Sequence, residues 1–163
     1  MSDSSSAEEK SISNRIVIRV ATEADIPVMV KLLGILFGIE SDFYPDAIKQ
    51  KRGLALLLAC PTARAWVAEH DEDGVIGMLT MQTVVSTAEG DYAGLIEDLI
   101  VEEAYRRCGI GSMLVRAALQ YAREKRLPRI QLLADVHNVA AVIFYRDLGW
   151  EQTNLMTLRI RLA

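Results

Sequence analysis

Residues 93–112 read AGLIEDLIVEEAYRRCGIGS. The first nine have the β-branched and apolar content of a strand, with two carboxylates, Glu97 and Asp98, set inside it. Beyond them, Met113, Leu114, Ala117, Ala118 and Tyr121 recur at helical spacing, which predicts a helix from about Gly109 to Lys125. Where a strand ends and a helix begins, unsatisfied backbone N–H groups point outward and the helix dipole favours an anion. Gly109 and Gly111 let the backbone approach a bulky oxyanion, because no Cβ stands in the way. Arg106 and Arg107 add mobile positive charge and forked donors suited to phosphate. The spacing fits a diphosphate cradle; it also fits a tight strand–helix turn with solvated arginines. A nucleoside-triphosphate loop needs Gly-Lys-Ser/Thr, which is absent, and a dinucleotide fingerprint needs a third glycine where Leu114 stands.

Working outward, RIVIRV (15–20) predicts a strand, and ATEADIP then offers two helix starts. Either Thr22 and Asp25 form a capping box, or Asp25 itself caps with Pro27 in the first turn. That helix runs through Leu36, and a second covers Pro45 to Leu58. Strands follow at 64–70 and 75–85, joined by DEDG as a hairpin turn, and then at 93–101. After the 109–125 helix come a strand at 129–135, a short helix capped by Asn138 and stopped by Gly149, and a closing strand, TNLMTLRIRL (153–162). The order β-α-α-β-β-β-α-β-α-β predicts an α/β fold with a mixed central sheet flanked by helices. Residues 15–163 read as one domain behind a mobile polar tail over 1–14.

A chain of 163 residues with 51% hydrophobic and 25% charged content is globular in composition. Its 18 basic and 22 acidic residues give a net charge of −4, which argues against a general nucleic-acid grip. Two cysteines (Cys60, Cys108) and two histidines (His70, His137) in unrelated contexts point to no metal. The polar amino terminus is no signal peptide, and the longest apolar stretch, 26–39, is too short to span a bilayer. No membrane association and a cytoplasmic location follow as expectations.

The segment 97–149 resembles the core of the GNAT superfamily of N-acetyltransferases. The signature Arg/Gln-x-x-Gly-x-Gly/Ala is matched by Arg106, Gly109 and Gly111. A second, Asn-x-x-Ala-x-x-Phe-Tyr, is matched by Asn138, Ala141, Phe144 and Tyr145, with LGW (148–150) following as in the family. The element order is also the family's, so the likeness extends over about residues 15–163. The text IEDLIV is similar to the polyamine and thialysine acetyltransferase branch.

The resemblance implies acetyl-coenzyme A as acetyl donor, with its pyrophosphate held by Arg106, Arg107, Cys108, Gly109, Ile110, Gly111 and Ser112. It implies a bulged strand that splays from its neighbour, its pantetheine arm pairing with the backbone of Leu99, Ile100 and Val101. The N–H of Leu99 or Ile100 becomes a candidate oxyanion donor. Tyr145 is implied as the acid for the departing thiolate and as a cofactor contact, and Asn138 as a further cofactor contact; a tyrosine here also suits helix anchoring. Glu97 is the candidate base, and ordinary pleating sets it on one face with Leu99 and Val101. Glu97 and Asp98 flank the amine, which Glu40, Asp42 and Phe43 of the loop FGIESDFYPD (37–46), with Tyr44 and Asp46, suit by charge and cation–π contact. A small-molecule amine is the expected acceptor; a protein amine, or a non-catalytic acyl-coenzyme A sensor on the same fold, are the alternatives. The resemblance also implies a homodimer.

Overall fold

The computed structural model describes residues 12, 14–40 and 42–162. Apart from residues 12 and 14, the tail expected over 1–14 lies outside them. The chain divides into two compact units, Met1–Leu133 and Ala134–Ala163.

The first unit carries β1 (Ile16–Val20), α1 (Ile26–Ile39), α2 (Ala47–Ala59), β2 (Ala63–His70), β3 (Gly74–Ser86), β4 (Asp91–Val101), α3 (Ile110–Glu124) and β5 (Ile130–Leu132). The sheet order is β1-β2-β3-β4-β5, with three antiparallel joins and a parallel β4–β5 pair across the α3 crossover. This is the mixed sheet the element order predicts. Strand β5 is shorter than the 129–135 expected. It pairs with β4 only over Gly94–Ile96, where β4 then turns away through a bulge.

Alternation sends Ala65, Val67, Met78 and Ile100 to one face, where Met29, Leu32, Leu33 and Leu36 of α1 and Leu54 of α2 bury them. The other face receives α3, whose fully buried stripe is Ile110, Leu114, Ala118 and Ala122 at four-residue spacing. Tyr121 and Met113, expected in that stripe, lie at its margin and are partly exposed. Gly77 lets α3 sit close: a Cβ there would lie 3.3 Å from Val101 Cγ2 and 3.5 Å from Leu114 Cδ1. Burying a side chain such as Leu114 contributes roughly 2 kcal/mol.

At the start of α1 the capping-box alternative is the one formed; the Asp25 side chain makes no cap bond to α1 itself, although Pro27 stands in the first turn. A 3-10 turn, Glu23–Asp25, precedes the helix, and the Asp25 carboxylate accepts the Thr22 N–H at 2.8 Å. Arg19 grips the same carboxylate with two bonds of 2.8 Å. The Arg19 guanidinium, aided by the Thr22 amide, holds the Asp25 acid down at about 2 against desolvation. A carboxyl depressed on folding stabilises above its unfolded value, near pH ~4, and that stability fades as pH falls through about 2. Asp25→Asn is therefore expected to lose about 2 kcal/mol of unfolding free energy at neutral pH. It should also flatten the acid decline between about pH 4 and 2. Urea denaturation across pH checks both.

The second unit holds α4 (Val139–Asp147). Asn138 caps it by accepting the Ala141 N–H at 3.1 Å, and Gly149 leaves it at φ 86°, as the sequence predicts. The closing strand expected at 153–162 is not formed. Residues 151–162 have no ladder partner among the described residues, and Leu155, Met156, Leu158, Ile160 and Leu162 are exposed. An alternating pattern becomes a strand only when an edge accepts its backbone hydrogen bonds.

Candidate active site

The turn that joins β4 to α3 alternates in handedness. Arg106 is extended (φ −67°, ψ 155°), Arg107 is left-handed at φ 65°, Gly109 is left-handed at φ 78°, and α3 begins at Ile110. Such alternation gathers successive N–H groups on one side, forming an anion-binding concavity. The backbone N–H groups of residues 107–112 have no acceptor among the described residues, and the helical ladder starts with Met113 N–H to Gly109 O at 3.1 Å. A Cβ built on Gly109 would meet nothing within 4 Å, so the turn is unobstructed at that point. Ile110 is buried in the core and offers only its amide; Gly111 and Ser112 complete the first turn.

Arg106 differs from its expected mobility. Its Nε donates to Val101 O at 3.0 Å, which ties the cradle to the end of β4. Cys108 turns its thiol to Arg106 O at 3.6 Å. Arg107 occupies a conformation that costs a side-chain-bearing residue about 1–2 kcal/mol, and its exposed side chain is the mobile charge of the pair. The segment entering the cradle is braced from below. The Tyr105 hydroxyl donates to Asp73 in the β2–β3 turn, and its ring lies 5.4 Å from His70. The bond to Asp73 pushes the Tyr105 phenol up to about 12.

The bulge in β4 lies at the two carboxylates. Leu79 pairs with Leu99 and Met81 with Ile96, so Thr80 alone faces both Glu97 and Asp98. This overturns the expected pleat: Glu97 does not follow Leu99 and Val101. Its carboxylate accepts a 2.9 Å bond from Gln82 Nε2, on the face that Thr80 and Met78 share toward α1. Asp98, two residues from the buried Ile100, lies on that same face, and Thr80 Oγ1 donates to its carboxylate at 2.6 Å. Burial pushes the Asp98 acid up; the Thr80 bond opposes this, and the Glu97 charge adds to it. Past Ile96, the edge of β4 away from β3 has no strand beside it among the described residues. Leu99, Ile100 and Val101 thus lie along an open edge, although Val101 O is already held by Arg106.

The loop after α1 divides its acids between roles. Asp46 caps α2, accepting Ile48 N–H and Lys49 N–H at 3.1 Å each, and those bonds hold its carboxyl below the usual range. Glu40 closes α1 through its N–H to Leu36 O at 3.1 Å. Asp42 follows it, the Phe43 ring lies 5.3 Å from Phe37, and Tyr44 is exposed. In the second unit, Tyr145 lies on α4 with its ring 5.1 Å from Phe144 and 6.0 Å from Trp150. The Asn138 side-chain oxygen is committed to its cap. Sequence reasoning missed Thr80 and Gln82. The signal was there: MLTMQT places two polar residues two apart, on one face of a strand otherwise apolar at that point.

Among the described residues, no cluster of three His, Cys, Asp or Glu side chains is arranged to hold a metal ion, and no helix is long and apolar enough to cross a membrane. A family model described as the acetyltransferase (GNAT) family matches residues 35–150. An uncharacterized N-acetyltransferase of Methanocaldococcus jannaschii is 26% identical over 108 residues, covering 60% of this chain and 48% of that protein. N-acetyltransferase 8 of Homo sapiens is 31% identical over 88 residues, 54% of this chain and 38% of that protein. The chain thus spans less than half the length of these curated relatives. A crystal structure of an aminoglycoside acetyltransferase from an uncultured soil metagenomic sample, in complex with sisomicin, matches with a TM-score of 0.76 at 24% identity, over 93% of this chain and 99% of that one. At that identity the likeness is one of fold.

Proposed function

The chain belongs to the GNAT acetyltransferase family, and from that premise we propose that it transfers an acetyl group from acetyl-coenzyme A to a primary amine of a small cationic molecule, by direct attack in a ternary complex. One observation carries the proposal: the uncommitted N–H groups of residues 107–112, gathered by alternating backbone hand at a turn unobstructed at Gly109. That donor set fits a diphosphate, with Arg107 as the mobile counter-charge. Acetyl-coenzyme A supplies the acetyl group as a thioester. The open edge of β4 offers the backbone of Leu99 and Ile100 to an extended arm, and one of their N–H groups to a developing oxyanion.

An alkylammonium has a pKa near ~10.4, so a base must strip a proton before the amine attacks. Glu97, exposed and oriented by Gln82, is the base in this proposal, with Asp98 beside it to hold the cation. Glu40, Asp42 and Phe43 add an acidic, aromatic rim. Tyr145 returns a proton to the departing thiolate, and Asn138 assists the donor; both roles rest on the family motif that contains them. Residues 15–163 act as one catalytic domain and pair as a homodimer in the same proposal. The free thiols Cys60 and Cys108 suit a reducing compartment, taken as the cytoplasm.

The test is a panel of amines assayed by free-thiol release, comprising polyamines, lysine analogues, aminoglycosides and peptides. Fastest turnover is expected on a small polycationic amine. Turnover on peptides alone would move the acceptor to proteins. No thermal stabilisation by millimolar coenzyme A, together with no thiol release, would remove the cradle and the activity at once.

A further inference from the structure

The bulge that exposes the β4 edge deprives a backbone donor of its strand partner, and one side chain repairs the loss. Thr80 Oγ1 accepts the Asp98 N–H at 3.1 Å and donates to Asp98 Oδ2 at 2.6 Å. A single hydroxyl thus binds the main chain and the side chain of the same residue, which fixes both the bulge and the Asp98 rotamer. Thr80 is fully buried, so water does not replace this hydroxyl. We propose that Thr80 is a positioning residue for the acidic pair, fixing the bulge and the Asp98 carboxyl beside Glu97 and favouring the charged form of Asp98.

In the proposed function Glu40 and Asp42 of the loop after α1 share this site and would act in the same direction as Glu97, while the cations of α2, Lys49, Lys51 and Arg52, are all exposed. Glu97 neighbours Asp98 on β4 and raises it. The facing β3 side chains, Thr80 and Gln82, are uncharged, and β5 contributes Ile130, Gln131 and Leu132. The one ionisable group of α1 is Lys31, which is exposed, and α3 with Arg116, Arg123 and Glu124 packs on the opposite face. Burial and Glu97 both favour the protonated acid, and the Thr80 donor opposes them. Removing that donor must therefore raise the pH at which Asp98 titrates.

The kinetic arm rests on the acetyltransfer proposed above; the spectroscopic arm does not. Thr80→Val keeps the shape and deletes the hydroxyl, while Thr80→Ser keeps the hydroxyl. With the best amine of the panel, Thr80→Val is expected to reduce kcat/KM about tenfold at the acidic end of the profile and to approach wild type at the alkaline end. Thr80→Ser should follow wild type. Carboxyl-carbon NMR of the free protein should show Asp98 titrating at higher pH in Thr80→Val and unmoved in Thr80→Ser. If no amine reacts, the activity fails while the NMR titration still decides Thr80. If Thr80→Val does not fold, Thr80→Ala carries the same spectroscopic readout, with Asp98 expected to titrate at higher pH than in the wild type. An unshifted Asp98 titration in Thr80→Val or Thr80→Ala would overturn the proposal.

Discussion

Gly109→Val is expected to weaken coenzyme A binding about a hundredfold, which corresponds to roughly 2.7 kcal/mol. Gly109 stands at φ 78° immediately before α3, a region closed to a β-branched residue. Two responses are open to valine. It can hold the left-handed turn under strain, with a branched side chain added where the turn is unobstructed. It can instead relax toward negative φ, which rotates the N–H groups of residues 107–112 out of their common focus. Losing one or two charge-assisted hydrogen bonds, each about 1.5–3 kcal/mol, accounts for the magnitude. Gly109→Ala should show the same trend more weakly. Calorimetry with coenzyme A reads the effect, and the thermal midpoint without ligand shows that the sheet survives. Unaltered affinity in Gly109→Val would mean that the diphosphate sits elsewhere.

Tyr145→Phe is expected to lower kcat about a hundredfold or more, while coenzyme A affinity stays within a few-fold. The substitution keeps the ring and its 6.0 Å neighbour Trp150, so α4 should retain its packing. What is lost is one O–H. A phenol with pKa near ~10 donates to a thiolate of conjugate pKa near ~8.5 only when the two are held together, so the loss should appear in turnover and not in binding. Steady-state kinetics on the best amine separates the two. Unchanged kcat would assign Tyr145 to packing alone.

How much of this was legible beforehand differs along the chain. The strand–cradle–helix unit was readable because its signals are local: β-branched content up to Val101, glycines at 109 and 111, and an apolar stripe behind them. Asn138 and Gly149 at the ends of α4 were readable for the same reason, since a cap depends on a few adjacent residues. The facing of Glu97 was not. A bulge is a relation between two strands, and only the pairing of Leu79 with Leu99 and Met81 with Ile96 shows where the extra residue falls. Thr80 escaped notice because its importance lies wholly across the sheet. Asp46 looked like an amine ligand and turned out to be a cap, because proximity to a helix start competes with charge as an explanation for an acid. The final strand failed because alternation in 153–162 describes what an edge would accept and says nothing of whether one is offered.

The bond from Arg106 to Val101 O has one more outcome. It ties the turn before α3 to one end of residues 97–101, and the bulge sets the acids at the other. At ~3.3 Å per residue the four steps between those ends span at most about 13 Å. If the proposed seat holds the acyl carrier, tether length would be gauged before anything about the acyl group. A carrier with a truncated tether, gripped by the same amides, would hang its reactive end short of the acids and remain a ligand without becoming a substrate.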